Sequence, residues 1–153
     1  MGETFYISNK RTASIEFYLG NVDTLEDFEK EFPLEMLNDD VRVGRYLQQL
    51  LWKYDKKAST VSEDAMLAAS YVGNIVNGKK NNPSRDSLLA ICLAIGTTVE
   101  EVQYLLKYAG HAPLYVRRRR DVVIWFGFMK QMDLLQVDEN LRKRQLKPLI
   151  RQL

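Results

Sequence analysis

The fold is decided by residues 60–89, TVSEDAMLAASYVGNIVNGKKNNPSRDSLL, in which short apolar segments alternate with polar turns. The spacing predicts a short helix that ends at Met66, a tight joint, and a second short helix from Ala68 to Asn77 that Gly78 ends. Ser84 is placed to cap a third, longer helix. This stretch is therefore predicted to hold two short helices at a tight joint, followed by a longer helix.

Longer amphipathic helices are predicted on both sides of this stretch. The preceding helix can be capped by the Asp39–Asp40 pair, and its apolar residues follow a helical period. The helix that begins at Ser84 ends at Gly96, and the next begins with a Thr98–Glu101 capping box and ends at Gly110. The residues expected to face the core are Val43, Tyr46, Leu47, Leu50, Leu51, Tyr54, Leu88, Ile91, Cys92, Ile95, Val102, Leu105, Leu106 and Ala109.

An internal repeat is predicted at an offset of 35 residues, where residues 84–114 align with residues 119–149. Each unit would be a hairpin of two helices that ends in a Pro-Leu pair. Stacking the second unit on the first would bury the apolar segment 122–129, which neither unit could bury alone. The aligned identities are Arg85/Arg120, Asp86/Asp121, Val102/Val137, Leu106/Leu141, Pro113/Pro148 and Leu114/Leu149.

Charge is distributed unevenly along the chain. Residues 1–40 hold three basic against ten acidic side chains, a net charge of −7. Residues 41–153 hold nineteen basic against ten acidic side chains, a net charge of +9. This basic part favours a polyanionic partner or a solvated basic surface. The acidic part includes a short predicted helix between Thr24 and Phe32, which Pro33 would end.

The chain is predicted to be all-α and to have three parts. Residues 1–38 form an acidic, partly irregular leader, in which only residues 5–7 and 15–19 have strand-like content. Residues 39–114 form a helical domain. Residues 115–153 form a helical extension packed on that domain.

Several classes of protein are excluded by residue content. The longest apolar run is far shorter than the roughly 20 residues that cross a bilayer, and the first ten residues lack the pattern of a secretory signal. The single cysteine, Cys92, lies in a core stripe, and the single histidine, His111, follows a helix end. No nucleophile with its base, metal cluster or phosphate-binding glycine loop is evident. We expect a cytoplasmic protein that is not an enzyme, does not span a membrane, and uses no metal or cofactor.

The second short helix has the composition of a helix that lies in a DNA major groove. Hydroxyl and amide groups can pair with base edges, and asparagine can bind adenine through two hydrogen bonds. The candidate base contacts are Ser70, Tyr71, Asn74 and Asn77. The candidate phosphate contacts are Lys79, Lys80, Asn81, Arg117 and Arg118. The side expected to pack on the core carries Val72, Ile75 and Val76.

These features resemble the phage-repressor (Xre-like) helix-turn-helix family. The similar stretch is ASYVGNIVNGKKNNPSRDSLLAICLAIGTTVEEV, and its matching residues are Tyr71, Ile75, Gly78, Lys79, Pro83, Ser84, Leu88 and Leu89. The likeness covers residues 41–109 and implies a five-helix domain that binds double-stranded DNA, as a dimer. The later AGHAPLYVRRRRD segment and the duplicated tail resemble a bacterial subgroup in which this domain is extended by another helix pair.

The chain departs from this family at the joint between the short helices. The family usually has a small residue, a glycine and a capping Ser or Thr where this chain has Ser62, Met66 and Ala68. A missing cap costs about 1 kcal/mol. No arginine or lysine precedes Lys79 in the recognition helix, so the side chains that usually contact guanine are absent. Two functions stay open: a sequence-specific, DNA-binding transcriptional regulator, and a degenerate helix-turn-helix that binds a protein without binding DNA.

The run Arg117–Arg120 allows three interpretations. The arginines can contact phosphate, or Arg120 can repeat the local role of Arg85 beside Asp86 while the others are solvated. The run can also hold the acidic leader, whose carboxylates would then compete with DNA. The apolar tail adds two candidate partners besides DNA, namely a second subunit in a homodimer and a protein bound through the C-terminal helices.

Overall fold

The computed structural model describes residues 12–34, 39–80 and 82–150, and within these ranges the chain is all-helical. The all-α prediction is therefore confirmed. No helix of the described ranges combines the length and the apolar composition that crossing a membrane requires. The described helices are α1 (Thr12–Asn21), α2 (Leu25–Glu31), α3 (Asp39–Lys53), α4 (Ala58–Asp64), α5 (Tyr71–Val76), α6 (Arg85–Ile95), α7 (Val99–Tyr108), α8 (Arg119–Met129) and α9 (Leu134–Lys143).

The described part of the leader forms two short helices. The Thr24 hydroxyl accepts the N–H of Asp27 at 3.1 Å and caps α2, which ends before Pro33 as predicted. The strand-like interpretation of residues 15–19 is wrong, because α1 spans them. Residues 5–7 lie outside the described ranges. The leader has its own small apolar cluster, formed by Phe28 and Phe32 with Ile15, Tyr18 and Val22.

Helices α3 to α7 surround most of the main core. Helix α3 lies against α5 and α7, and α4 lies against α5 and α6. The predicted inward faces are confirmed. The buried residues are Val43, Leu47, Leu50, Leu51, Leu88, Ile91, Cys92, Ile95, Val102, Leu105 and Leu106, and the partly buried ones are Tyr46, Tyr54 and Ala109.

The ends of α6 and α7 follow the local sequence signals. The Ser84 hydroxyl accepts a backbone N–H from the first turn of α6 at 3.1 Å. Gly96 ends that helix in the left-handed conformation, with φ of 88°. Thr98 and Glu101 form the predicted capping box of α7, and Gly110 follows this helix with φ of 76°. Short-range hydrogen bonding therefore sets both helices.

Both short helices end earlier than predicted, and α5 is also shorter than predicted. Helix α4 ends at Asp64, because Met66 adopts the left-handed conformation with φ of 59°. The Leu67 N–H then bonds the Ser62 carbonyl at 2.9 Å, which closes the helix end. Helix α5 begins at Tyr71, three residues later than predicted. The joint between the two helices is correspondingly longer.

The helix pair predicted within residues 119–149 is confirmed. Helices α7 and α9 have bounds that differ by 35 residues at both ends, which is the predicted offset. Both begin with a capping box, made by Thr98 with Glu101 in α7 and by Asp133 with Gln136 in α9. The left-handed residues Gly96 and Gly110 also recur at this offset. Their counterparts are Gln131 and Gln145, with φ of 54° and 60°.

The two units hold each other through reciprocal ion pairs. Arg85 donates to both carboxylate oxygens of Asp121, at 3.1 and 3.0 Å. Arg120 donates to both carboxylate oxygens of Asp86, at 2.9 and 3.0 Å. Each arginine also donates to two carbonyls at the exit of its own unit. The prediction that Arg120 repeats the role of Arg85 is therefore confirmed.

Because the ion pairs are reciprocal, the helix pair α6–α7 and the helix pair α8–α9 form a pseudo-two-fold pair and not an open stack of repeats. Helix α6 lies against α9 and α7 lies against α8, so the helix contacts are exchanged in the same way as the ion pairs. A contact that uses the same surface of both partners closes on itself. Ile124, Val137 and Leu141 of the second unit join the same core as α3 to α7.

Candidate nucleic-acid interface

Helix α5 is held close to α3 at a glycine. A Cβ atom added to Gly44 would lie 2.7 Å from the carbonyl oxygen of Ile75 and 3.0 Å from that of Val76. Both atoms belong to the backbone, so they could move only if α5 moved. Val72 and Ile75 are buried and Val76 is partly buried, which confirms the predicted inner side of this helix. Gly44 therefore permits the close approach that fixes the position of α5.

Ser62 on α4 replaces the missing cap of α5. Its hydroxyl accepts the N–H of Val72 at 3.0 Å and donates to the carbonyl of Ala58 at 3.0 Å. Ser70, the residue before α5, makes no capping hydrogen bond with its side chain. Helix α5 therefore has no cap from its own N-cap side chain, as expected, although that N-cap is Ser70 and not Ala68. A neighbouring helix supplies the hydrogen bond instead.

Met66 lies in the joint between α4 and α5, at the position where the resemblance to repressor-type proteins implies a glycine. It takes the left-handed conformation that glycine adopts most easily, and its side chain is 62% exposed. A non-glycine residue in this conformation costs roughly 1 kcal/mol. The joint between α4 and α5 is thus formed, but under local backbone strain.

The outer side of α5 carries the predicted base contacts. Ser70 is exposed, and the Asn74 Nδ2 atom lies 3.5 Å from its hydroxyl oxygen. The ring of Tyr71 is half-buried beneath the Lys80 ammonium, which lies 5.0 Å from the ring centroid. The Asn77 side-chain oxygen accepts the N–H of Lys79 at 3.0 Å. The structure therefore brings these four candidate residues together along one short helix and its ends.

The two lysines after α5 belong to a turn that the helix itself fixes. Gly78 has φ of 82°, and the Lys80 N–H bonds the carbonyl of Asn74 at 2.9 Å. Lys79 is exposed. Asn81, the third candidate for a phosphate contact in this turn, lies outside the described residues. The ammonium groups of Lys79 and Lys80 thus adjoin the polar side of α5.

The structure does not bring Arg117 and Arg118 together with α5. Both line a separate surface groove with Arg144 and Leu146, and none of the described residues of α5 belongs to that groove. The predicted phosphate contacts therefore fall into two groups on the surface. Sequence spacing could not show this, because the arginines are about forty residues away from α5 in the chain.

Glu101 has a role that sequence analysis missed. Its carboxylate receives hydrogen bonds from Lys53 Nζ at 2.6 Å, from the Tyr54 hydroxyl at 2.5 Å and from the Thr98 N–H at 2.9 Å. Burial raises the pKa of Glu101, but these hydrogen bonds outweigh it and the pKa is lowered. Burial and Glu101 together raise the pKa of Tyr54 to about 12. This cluster joins the end of α3 to the start of α7.

Cys92 and His111 occupy structural environments. Cys92 is buried, and burial raises the pKa of its thiol to about 12, so the thiol stays protonated. The His111 Nε2 atom donates to the carbonyl of Pro83 at 2.8 Å, just after α7 ends. No cluster of three or more potential metal-binding side chains occurs among the residues that the structure describes.

Helix α5 is buried on one side and carries, on the other side, polar side chains that can hydrogen-bond to base edges. Two lysines follow it. These features are compatible with binding in a DNA major groove. The resemblance to repressor-type proteins remains a prediction, because comparison of the chain with protein-family models, curated proteins and solved structures found no match.

Proposed function

We propose that this protein is a sequence-specific, double-stranded DNA-binding regulator of transcription, in which α5 is the recognition helix. It acts by occupying its site, without catalysis or a cofactor. The observation that carries the proposal is the two-sided character of α5. Its inner side is fixed by Gly44 and Ser62, while Tyr71 and Asn74 supply polar groups outside the buried side.

The expected contacts follow from the chemistry of these side chains. The Asn74 amide can donate to and accept from the edge of one adenine, and the Tyr71 hydroxyl can reach a neighbouring base. Lys79 and Lys80 can contact phosphate at the edge of the groove and fix the register of the helix. Two copies of the protein would place two α5 helices about one turn of DNA, roughly 34 Å, apart.

The test begins with selection of a preferred duplex from a random library, followed by titrations monitored by fluorescence anisotropy. Asn74→Ala should weaken binding to the preferred duplex by about 1 to 3 kcal/mol and change binding to unrelated duplexes little. Lys79→Ala/Lys80→Ala should weaken binding to every duplex. It should also reduce the slope of log affinity against log salt by about 0.9 for each phosphate that the protein no longer neutralises.

A matched control separates a local contact from a change in total charge. Lys130→Ala/Lys143→Ala also removes two positive charges, but from exposed positions in the second unit. It should leave the salt slope near that of the wild type. If both double variants alter the slope equally, the lysines after α5 have no special role and α5 is not the contact surface.

A protein-interaction module is the second candidate function. The observation that favours it is an exposed apolar stripe on α8, where Val122, Phe126 and Met129 are 43%, 49% and 67% exposed. Their spacing of four and three residues places them on one face of the helix. Absence of binding to any duplex at low salt would contradict the DNA proposal and leave this module as the better interpretation.

A further inference from the structure

A second charged surface lies away from α5, in what we call the arginine groove. It is an open cavity of about 290 Å³ between the start of α8 and the end of α9. Its apolar lining residues, which we call the floor, are Val116, Val122, Val123 and Leu146. Its charged lining residues, which we call the rim, are four arginines, Arg117, Arg118, Arg119 and Arg144.

The four rim arginines differ from Arg85 and Arg120, which bond carboxylates. Within the described residues, none of the four forms an ion pair, and the Arg144 side chain donates only to Asn140, at 3.0 and 3.3 Å. Like charges gathered around an apolar floor favour a partner that supplies both carboxylates and apolar side chains. A nucleic-acid backbone would neutralise the rim but leave the floor uncovered.

The leader has the complementary composition. Residues 12–34, which we call the acidic hairpin, hold six carboxylates and one lysine, a net charge of −5. Phe17, Leu19 and Leu25 are 74%, 51% and 55% exposed. Leu25 lies one helical turn from the exposed Glu29. This hairpin therefore presents apolar and acidic groups side by side.

We propose that the arginine groove binds the acidic hairpin of a second copy of this chain. In this structure the hairpin of the same chain does not line the groove. It is joined to α3 through residues 35–38, so Leu34 and Asp39 lie at most about 18 Å apart. Helix α3 packs on α5 and α7, whereas the groove is built from α8, α9 and their flanking residues. The proposal does not depend on DNA binding.

A charge swap in the full-length chain tests this contact. Arg117→Glu/Arg118→Glu lowers the net charge of the groove lining from +4 to 0, and Glu26→Lys/Glu29→Lys changes the net charge of the hairpin from −5 to −1. All four side chains are exposed, so each variant should keep the helical content of the wild type. Sedimentation equilibrium should show wild-type association that weakens between about 50 mM and about 500 mM salt. Each variant alone should associate at least about tenfold more weakly than the wild type.

The decisive sample is an equimolar mixture of the two variants. In the mixture, the unchanged groove of one variant, at +4, meets the unchanged hairpin of the other, at −5. Neither variant can make this contact with itself, so association of the mixture should be much stronger than that of either variant alone. Arg142→Glu/Lys143→Glu serves as the control, because it makes the same charge change at exposed residues outside the groove lining. It should associate like the wild type.

Three outcomes would overturn the proposal. The wild type could stay monomeric at low salt, up to about 0.5 mM protein, a concentration at which a contact of several ion pairs should form. The mixture could fail to associate when the wild type does. Arg117→Glu/Arg118→Glu could weaken binding to a duplex without any change in self-association, which would identify the groove as a nucleic-acid contact instead.

Discussion

Replacing Arg85 by Gln tests the reciprocal ion pairs that join the two helical units. Its partner, Asp121, is buried, with a side chain only 3% exposed. Without the arginine, the only remaining hydrogen bond to this carboxylate in the described structure comes from the Tyr115 N–H at 3.0 Å. Removing one member of a buried ion pair leaves an uncompensated charge and costs about 3 to 5 kcal/mol. We expect a loss of this size in the free energy of unfolding.

The second unit supplies a matched control. Arg120→Gln breaks the equivalent pair with Asp86, but that carboxylate is 25% exposed and Lys147 Nζ lies 3.9 Å from it. Water and the lysine can therefore compensate the charge, and we expect a loss of only about 1 to 2 kcal/mol. Equilibrium unfolding in urea, followed by circular dichroism, measures both values. Equal losses in the two variants would refute the argument from burial.

A double variant separates the effect of the buried charge from that of the other bonds that Arg85 makes. Arg85→Gln/Asp121→Asn removes both charges while the amide can still accept the Tyr115 N–H. If the uncompensated carboxylate causes the loss, the double variant should recover at least about 2 kcal/mol relative to Arg85→Gln. No recovery would mean that Arg85 acts through its bonds to the carbonyls of Ala112 and Pro113.

Three further predictions follow from single contacts. Gly44→Ala should lower the free energy of unfolding by about 1 to 3 kcal/mol, because the added Cβ meets the backbone of α5. Gly73→Ala should raise it by roughly 0.5 to 1 kcal/mol, because no atom lies within 4 Å of the added Cβ and alanine favours a helix. Thermal unfolding measures both changes. Glu101→Gln should flatten the fall in stability between about pH 5 and about pH 3. Its folded pKa is lowered, so the charged form stabilises the fold above the unfolded pKa and is lost as pH falls. Gln131→Gly should stabilise the protein by about 0.5 to 1 kcal/mol in urea unfolding, because the left-handed conformation there suits glycine; an unchanged midpoint would contradict this.

The sequence predicted those parts of the fold that depend on short-range bonds. The Thr98–Glu101 capping box and the Ser84 cap need only residues within one helical turn, so both were evident from spacing. The helix pair within residues 119–149 was predictable for a related reason, since the same local signals recur at a fixed offset. Strand propensity gave the wrong prediction for residues 15–19, which lie in helix α1. There Ile15 and Tyr18 pack on Phe28 and Phe32, and such tertiary contacts can override a weak strand propensity.

The residues of the candidate site could be predicted from the sequence, but the contacts that hold α5 in place could not. The polar side of α5 follows from helical spacing. Its support does not, because Gly44 and Ser62 act on residues that are ten or more positions away in the chain. Lys53 and Glu101 are likewise separated by 48 residues, so their ion pair has no local signal. Such contacts arise only once the helices pack.

The reciprocal ion pairs Arg85–Asp121 and Arg120–Asp86 also help to stabilise the strained joint between α4 and α5. One surface cleft is lined both by Met66 and Leu67 of that joint and by Arg85, Asp86 and Arg120. Helix α4 packs on both α5 and α6, and α6 carries Arg85 at its first position. The second unit therefore supports the helix against which the joint is built. A joint without glycine is less stable by itself, and the duplicated unit adds the contacts that keep its geometry, and with it the position of α5.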